Sequence, residues 1–166
     1  MRQLWAPWRM AYLRGEHDPV DGCVFCHKVD ADDVTEHVLY RGTTCFTVLN
    51  RYPYSNGHMM VVPYAHVSSL TALSEEVLLE VIQSVCRAER VLLDAASPQG
   101  FNVGINEGHA AGAGIEEHIH VHIVPRWDGD ANYMTVIGGT RVIPESLDET
   151  YAMLRPLFDA LRCEEA

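Results

Sequence analysis

The stretch His118-Ile119-His120-Val121-His122-Ile123-Val124, followed by Pro125-Arg126-Trp127, decides how this chain is read. Strand side chains alternate between faces, so the pattern predicts a strand over 118–124 with His118, His120 and His122 on one face. Ile119, Val121 and Ile123 then turn the other way, into a core. Pro125 reads as the residue that stops the strand. Histidine has middling strand propensity and needs partners when buried, so three in a row are a poor choice for stability alone. The pattern points to a strand whose outer face does chemistry. Neighbouring histidines on that face are about 6.5–7 Å apart, and the outer two about 13 Å. Two neighbours can share a metal ion. All three cannot without bending the strand, so at least one has another task.

The chain has 166 residues, 48% of them hydrophobic and 21% charged, which predicts one domain, 1–166, with a full core. Residues 1–14 carry Trp5, Pro7, Trp8, Met10, Tyr12 and Leu13, too apolar for a free tail. They read as an arm packed on the domain or on a second subunit. The net charge of -11 argues against a nucleic-acid polymer as partner, which needs a basic surface. A small phosphorylated ligand stays open, because backbone N–H groups and histidines can hold it locally. No apolar run approaches the ~20 residues of a membrane span, and the N-terminus lacks the apolar core of a signal peptide. A cytoplasmic protein without membrane contact is expected.

Of the five cysteines, Cys45, Cys86 and Cys163 are scattered and read as ordinary small residues. The pair Cys23-Val24-Phe25-Cys26 differs. An odd cysteine count without a secretion signal disfavours a disulfide framework, leaving metal or redox work. A redox pair opens a helix after a strand. This pair follows a polar, turn-like stretch, so metal is the better reading, although it supplies only half of a tetrahedral site.

Around these motifs the chain reads as α+β, with a mainly antiparallel sheet of about five strands, one long helix and one C-terminal helix. Strands are expected at Val38–Tyr40, Cys45–Leu49, His58–Pro63, Phe101–Ile105 and 118–124. Ser74 caps a helix running to Ala95 or Ala96, with Val77, Val81, Val85, Ala88 and Leu92 on one stripe. Ser146 and Glu149 form a capping-box pattern for the last helix, whose buried face is Leu147, Tyr151, Leu154, Phe158 and Leu161. Pro156 is expected to kink or split it.

Beyond the triad, Asn50-Arg51-x-Pro53-x-x-x-Gly57-His58 precedes Val61-Val62-Pro63. Gly104-Ile105-Asn106-Glu107-Gly108 leads through Ala111-Gly112 into the triad. With Cys23-x-x-Cys26, these motifs resemble the histidine triad family of nucleotide hydrolases and transferases, from residue 23 to about residue 127. Leu4-Trp5-Ala6-Pro7-Trp8-Arg9 and the stretch from Ala111 to Trp127 resemble the bacterial branch that includes diadenosine tetraphosphate phosphorylases.

The resemblance implies the histidine triad fold, a homodimer and a nucleotide substrate. It implies that His120 attacks an α-phosphorus to give a nucleotidyl-histidine, which water or phosphate then resolves. Imidazole suits this, since one ring nitrogen is a neutral nucleophile while the other donates to a backbone carbonyl. His122 and Asn106 are implied on the phosphates and Asn50 on the ribose, although either asparagine also suits a turn that bonds its own backbone. Where many members have Gln followed by Ser or Thr, this chain has Gly114-Ile115-Glu116-Glu117. Backbone N–H groups around Gly112 and Gly114 are expected to replace those side chains, with Glu116 and Glu117 structural or exposed. The zinc-containing branch implies a closed structural zinc site of Cys23, Cys26, His66 and His118. His58 is given a hydrogen-bonded supporting place, and His17, His27, His37 and His109 read as solvated.

Three alternatives stay open. One is an adenylyl phosphoramidate hydrolase of the same family. Another is a hydrolase in which a His-x-His pair holds zinc and an activated water. The third is a nucleotide-binding module without turnover.

Overall fold

A computed structural model describes residues 22–130 and 145–164, with side chains of the last helix described as far as Leu161. The expected arm over 1–14, His17 and the Cys163 side chain lie outside the described residues. The elements are α1 (Val24–His27), β1 (Val38–Arg41), β2 (Cys45–Leu49), β3 (Met59–Pro63), α2 (Glu75–Ala96), β4 (Gly100–Ile105), β5 (Val121–Arg126) and α3 (Leu147–Glu164). The five strands form one sheet in the order β1-β2-β3-β5-β4, and all neighbours are antiparallel. β1 to β3 form a meander. Helix α2 then crosses to the far edge, and β4 returns beside β5.

The alternation of β2 and β3 builds two cores. Cys45, Leu49, Met59 and Val61 join Val121 and Ile123 against Val81, Val85, Ala88 and Leu92 of α2 and Leu154 and Phe158 of α3. Phe46, Val48, Met60 and Val62 face the opposite way and pack with Phe25 and Val38. Each large apolar side chain so buried contributes roughly 1.5–3 kcal/mol. The second layer is the floor of the candidate site, because Met60 pairs with His122 across β3 and β5.

Both helix starts form as expected. Ser74 accepts from the Val77 N–H. Ser146 and Glu149 make the reciprocal pair, with Ser146 N donating to Glu149 at 2.9 Å and Glu149 N to Ser146 Oγ at 3.2 Å. Pro156 does not split α3, which continues through it to Glu164. The carbonyl that loses its partner belongs to Ala152, which is exposed, as is Pro156, so the helix tolerates the proline at a solvent-facing position.

The triad strand differs from expectation at both ends. β5 begins at Val121 and includes Pro125. His118, Ile119 and His120 precede it in irregular backbone, where Ile119 N donates to Val67 O at 2.7 Å. Pro125 pairs with Phe101 of β4, beyond the Met59–Ile123 pair that ends the β3 ladder. A proline there breaks no rung on the β3 side. The histidine face is not an outer surface either, since His118 and His120 are buried.

Candidate functional site

Four side chains from three parts of the chain meet at the start of the triad. Cys23 is the N-cap of α1 and Cys26 lies within it. His66 follows β3, and His118 precedes β5. One ligand atom from each lies within 4.8 Å of the others. His118 Nδ1 is 3.3 Å from Cys23 Sγ and 3.6 Å from Cys26 Sγ, and His66 Nδ1 is 3.1 Å from Cys26 Sγ. A tetrahedral zinc, with bonds of about 2.3 Å to sulfur and 2.0 Å to nitrogen, spans ligand edges of about 3.3–3.8 Å. The cluster has that size. His118 Nε2–H donates to Pro63 O at 2.8 Å, which fixes the tautomer and leaves the Nδ1 lone pair facing the sulfurs. The donor set fits zinc.

His120 is held differently. Its Nδ1–H donates to the His118 carbonyl at 2.9 Å, so Nε2 carries the lone pair. Burial pushes its pKa down and outweighs that hydrogen bond, which keeps the ring neutral at neutral pH. A neutral, tautomer-fixed imidazole is a competent nucleophile.

His122 sits in a third environment. The Tyr54 N–H donates to His58 Nδ1 at 3.1 Å, so His58 carries its proton on Nε2. That proton is donated to His122 Nδ1 at 3.0 Å, leaving His122 with its proton on Nε2. His122 also lines a cavity of about 280 Å³ with Tyr54, Asn102, Asn106, Val124 and Arg126. Burial, and then the neighbouring His120, pushes its pKa down to about 4. His122 is thus a neutral N–H donor 4.8 Å, ring centre to ring centre, from His120.

The expected phosphate and ribose residues are dispersed. Asn106 joins His122 at the cavity. Asn50 Oδ1 accepts from Tyr52 N at 2.9 Å, the local turn bond, while Nδ2 faces His58 Nε2 at 3.4 Å. Both atoms of that second contact carry protons once Tyr54 sets the His58 tautomer, so it is a contact without a hydrogen bond. Gly112 and Gly114 lie in the exposed loop before the triad, Gly112 with φ of +84°.

Sequence reading undervalued His58 and did not assign Phe25 or Tyr54 to the site. His58 is 1% exposed and shares the even-numbered face with Met60 and Val62, a register that was available to find it. Gly57 allows its placement, because φ is +70° and a Cβ would come within 2.8 Å of Leu92 Cδ2. Phe25 packs 4.9 Å from His120 and 5.4 Å from His118, between ring centres. Of the histidines read as solvated, His27 is exposed. His109 is exposed beside Glu116, but His37 is not free: it contacts Asp148 at 2.7 Å and packs edge-on to Tyr151.

The HIT domain family matches residues 31–129. The chain is 42% identical over 161 residues to the AP-4-A phosphorylase of Mycobacterium tuberculosis, covering 93% of this chain and 83% of that one. It is 32% identical over 108 residues to the adenylylsulfatase HINT3 of Arabidopsis thaliana, covering 65% of this chain and 54% of that protein. Among solved structures it resembles a zinc-bound histidine triad family protein from Mycobacterium smegmatis, with TM-score 0.69 and 28% identity over 86% of this chain and 97% of that one. The chain belongs to the HIT domain family of histidine triad proteins.

Proposed function

We propose that this protein is a nucleotidyl transferase that cleaves a dinucleoside polyphosphate at an α-phosphate, with inorganic phosphate as acceptor. The observation that carries the reading is the His120 ring: Nδ1–H is committed to the His118 carbonyl, and Nε2 is a neutral lone pair beside the His122 donor. Nε2 attacks the α-phosphorus and forms a P–N bond. The bond from that phosphorus to its bridging oxygen breaks, and the electron pair leaves with the polyphosphate. A phosphate oxygen then attacks the same phosphorus, the P–N bond breaks, and His120 is regenerated. His122, through Nε2–H, and Asn106 stabilise charge on the phosphoryl oxygens. Asn50, Gly112 and Gly114 complete the nucleotide-binding set. The substrate class follows the 42% identical relative named AP-4-A phosphorylase.

Cys23, Cys26, His66 and His118 would hold zinc as a structural ion. When bound, the ion supplies rigidity to the segment that carries His120. Four protein ligands leave no open position for an activated water, which disfavours the zinc-water alternative. The proposal includes a cytoplasmic, reducing setting in which both cysteines stay thiols, and a single domain over 1–166. It also includes a homodimer, supported by β4, an edge strand whose Asn102 to Gly104 are exposed.

The test is turnover of diadenosine tetraphosphate with and without inorganic phosphate. ADP plus ATP, formed only with phosphate, is the expected result. AMP plus ATP would make the protein a hydrolase. No cleavage, with turnover of adenylyl phosphoramidate or adenylyl sulfate instead, would replace the substrate assignment; adenylyl sulfate is suggested by the relative named adenylylsulfatase.

A further inference from the structure

The two residues between the cysteines are treated differently by the fold. Val24 is 39% exposed, whereas Phe25 is 1% exposed. Its ring lies 4.9 Å from that of His120 and 5.4 Å, edge-on, from that of His118. The same short helix therefore places two sulfurs against His118 Nδ1 and one phenyl ring against His120.

The hydrogen bond from His120 Nδ1 to the His118 carbonyl constrains one atom of the ring. The terminal torsion of histidine is broad and roughly two-fold. A ring turned about that torsion exchanges a nitrogen for a carbon on each edge and removes the lone pair from the site. A second contact is needed to hold the rotation. Phe25 supplies it, with its ring centre 4.9 Å from that of His120, and the His122 ring lies 4.8 Å away.

We propose that Phe25 is a positioning residue for His120, pressed onto its imidazole by the Cys23–Cys26 turn, so that filling the four-ligand cluster fixes the rotation of the nucleophile. The inference rests on the reading above for the word nucleophile, but not for the geometry. It gives the cluster two routes to His120: the His118 backbone carbonyl and the Phe25 ring. It also explains why an aromatic ring occupies a place where the surrounding Val38, Phe46, Val48, Met60 and Val62 need only an apolar filler.

The test uses the full zinc-loaded chain with Phe25→Leu and Phe25→Met, both of which keep an apolar side chain in the layer. Zinc per chain, melting temperature and AMP affinity report on the cluster, the fold and binding. Nitrogen-15 spectra of the His120 imidazole, assigned by loss of its signals in His120→Ala, report tautomer and ring exchange. The expected result is full zinc, AMP affinity within about twofold of wild type, and roughly a tenfold to hundredfold lower kcat with KM held. The His120 signals change from one Nδ1–H tautomer to an exchanging mixture, and zinc-depleted Cys26→Ser shows the same mixture with Phe25 intact. A single unchanged tautomer in both Phe25 variants overturns the proposal, as does one in Cys26→Ser. Loss of zinc from both Phe25 variants also overturns it, because Phe25 then serves the cluster rather than His120. Absence of turnover in the wild type would refute the proposed reaction, and the spectra would still decide the role of Phe25.

Discussion

The two ends of the histidine row use the same side chain in opposite ways. At the His118 end, Nε2–H is tied to Pro63 O and the bare Nδ1 faces two sulfurs. At the His122 end, Nδ1 is the acceptor for His58 and the proton is left on Nε2. One end presents lone pairs to a cation-sized cluster; the other presents an N–H to a cavity. His120 lies between them, with Nδ1–H committed and Nε2 available. The residue type is constant, so the role is set by which nitrogen each neighbour occupies. Two backbone carbonyls, a backbone N–H and one buried histidine are enough to leave three identical rings with a bare Nδ1, a bare Nε2 and an Nε2–H.

The largest expected break in this pattern is His120→Ala. It leaves both ends in place and removes the only ring whose Nε2 is assigned to attack. Turnover should fall by at least about 10³-fold, with AMP affinity nearly unchanged. Acid quench of wild type with α-phosphate-labelled substrate should trap label on protein, and the variant should trap none. A variant retaining several per cent of activity would refute the covalent mechanism. The next effect belongs to the His118 end alone. Cys23→Ser or His66→Ala should lower zinc content and melting temperature together, because metal binding is coupled to folding. Loss of a ligand from a structural site should cost several kcal/mol in urea unfolding. With a structural ion, chelation stops turnover only as the fold is lost. Fast inhibition with unchanged circular dichroism, reversed at once by zinc, would point to a catalytic metal.

What was legible in the sequence was local. The stripe of α2, its Ser74 cap and the Ser146–Glu149 box depend on residues three or four apart, and all are present. The antiparallel sheet of about five strands was legible from short apolar runs such as Cys45–Leu49, while the strand order, with β5 between β3 and β4, depends on long-range pairing. The failures are where distant contacts override a local pattern. His118 to His120 look like strand, but a bond to Val67 and the meeting with Cys23 and Cys26 hold them off the ladder. Phe25 packs on His118 and His120 and is delivered by a helix of four residues that alternation cannot reveal. Pro156 looks like a break, yet the cost falls on an exposed carbonyl. His58 looks like a strand end, and its importance appears only when Tyr54 and His122 are found on either side of it.

The His122 end is expected to govern acid sensitivity. Its pKa, ordinarily 6.5, is pushed down to about 4 by burial and by His120. The folded protein therefore keeps the ring neutral while the unfolded chain takes up a proton. Stability from this group is fully present above pH 6.5 and is lost progressively as pH falls toward 4. The loss across that window is on the order of 3 kcal/mol. Urea unfolding of wild type and His122→Asn, compared from neutral pH to the acid limit, should show the two curves converging at low pH. Parallel curves would mean that the ring is solvated and that burial and His120 do not hold it in the neutral form.

The smallest effect concerns Asn50, which faces His58 at the same end. Its Oδ1 bonds the Tyr52 N–H, as a turn residue does, and its Nδ2 makes only the long contact to His58. Asn50→Ala should cost about 1 kcal/mol from the turn bond alone. That loss says nothing about a nucleotide. A ribose contact is separable by substrate: wild type should bind AMP about fivefold to tenfold more tightly than 2′-deoxy-AMP, and Asn50→Ala should bind both equally. The stability cost is the same for either ligand, so it cancels in the ratio. If the variant keeps the wild-type ratio, Asn50 serves only the turn that carries Tyr54 to His58. Nucleotide selection at this end would then belong to the His122 cavity.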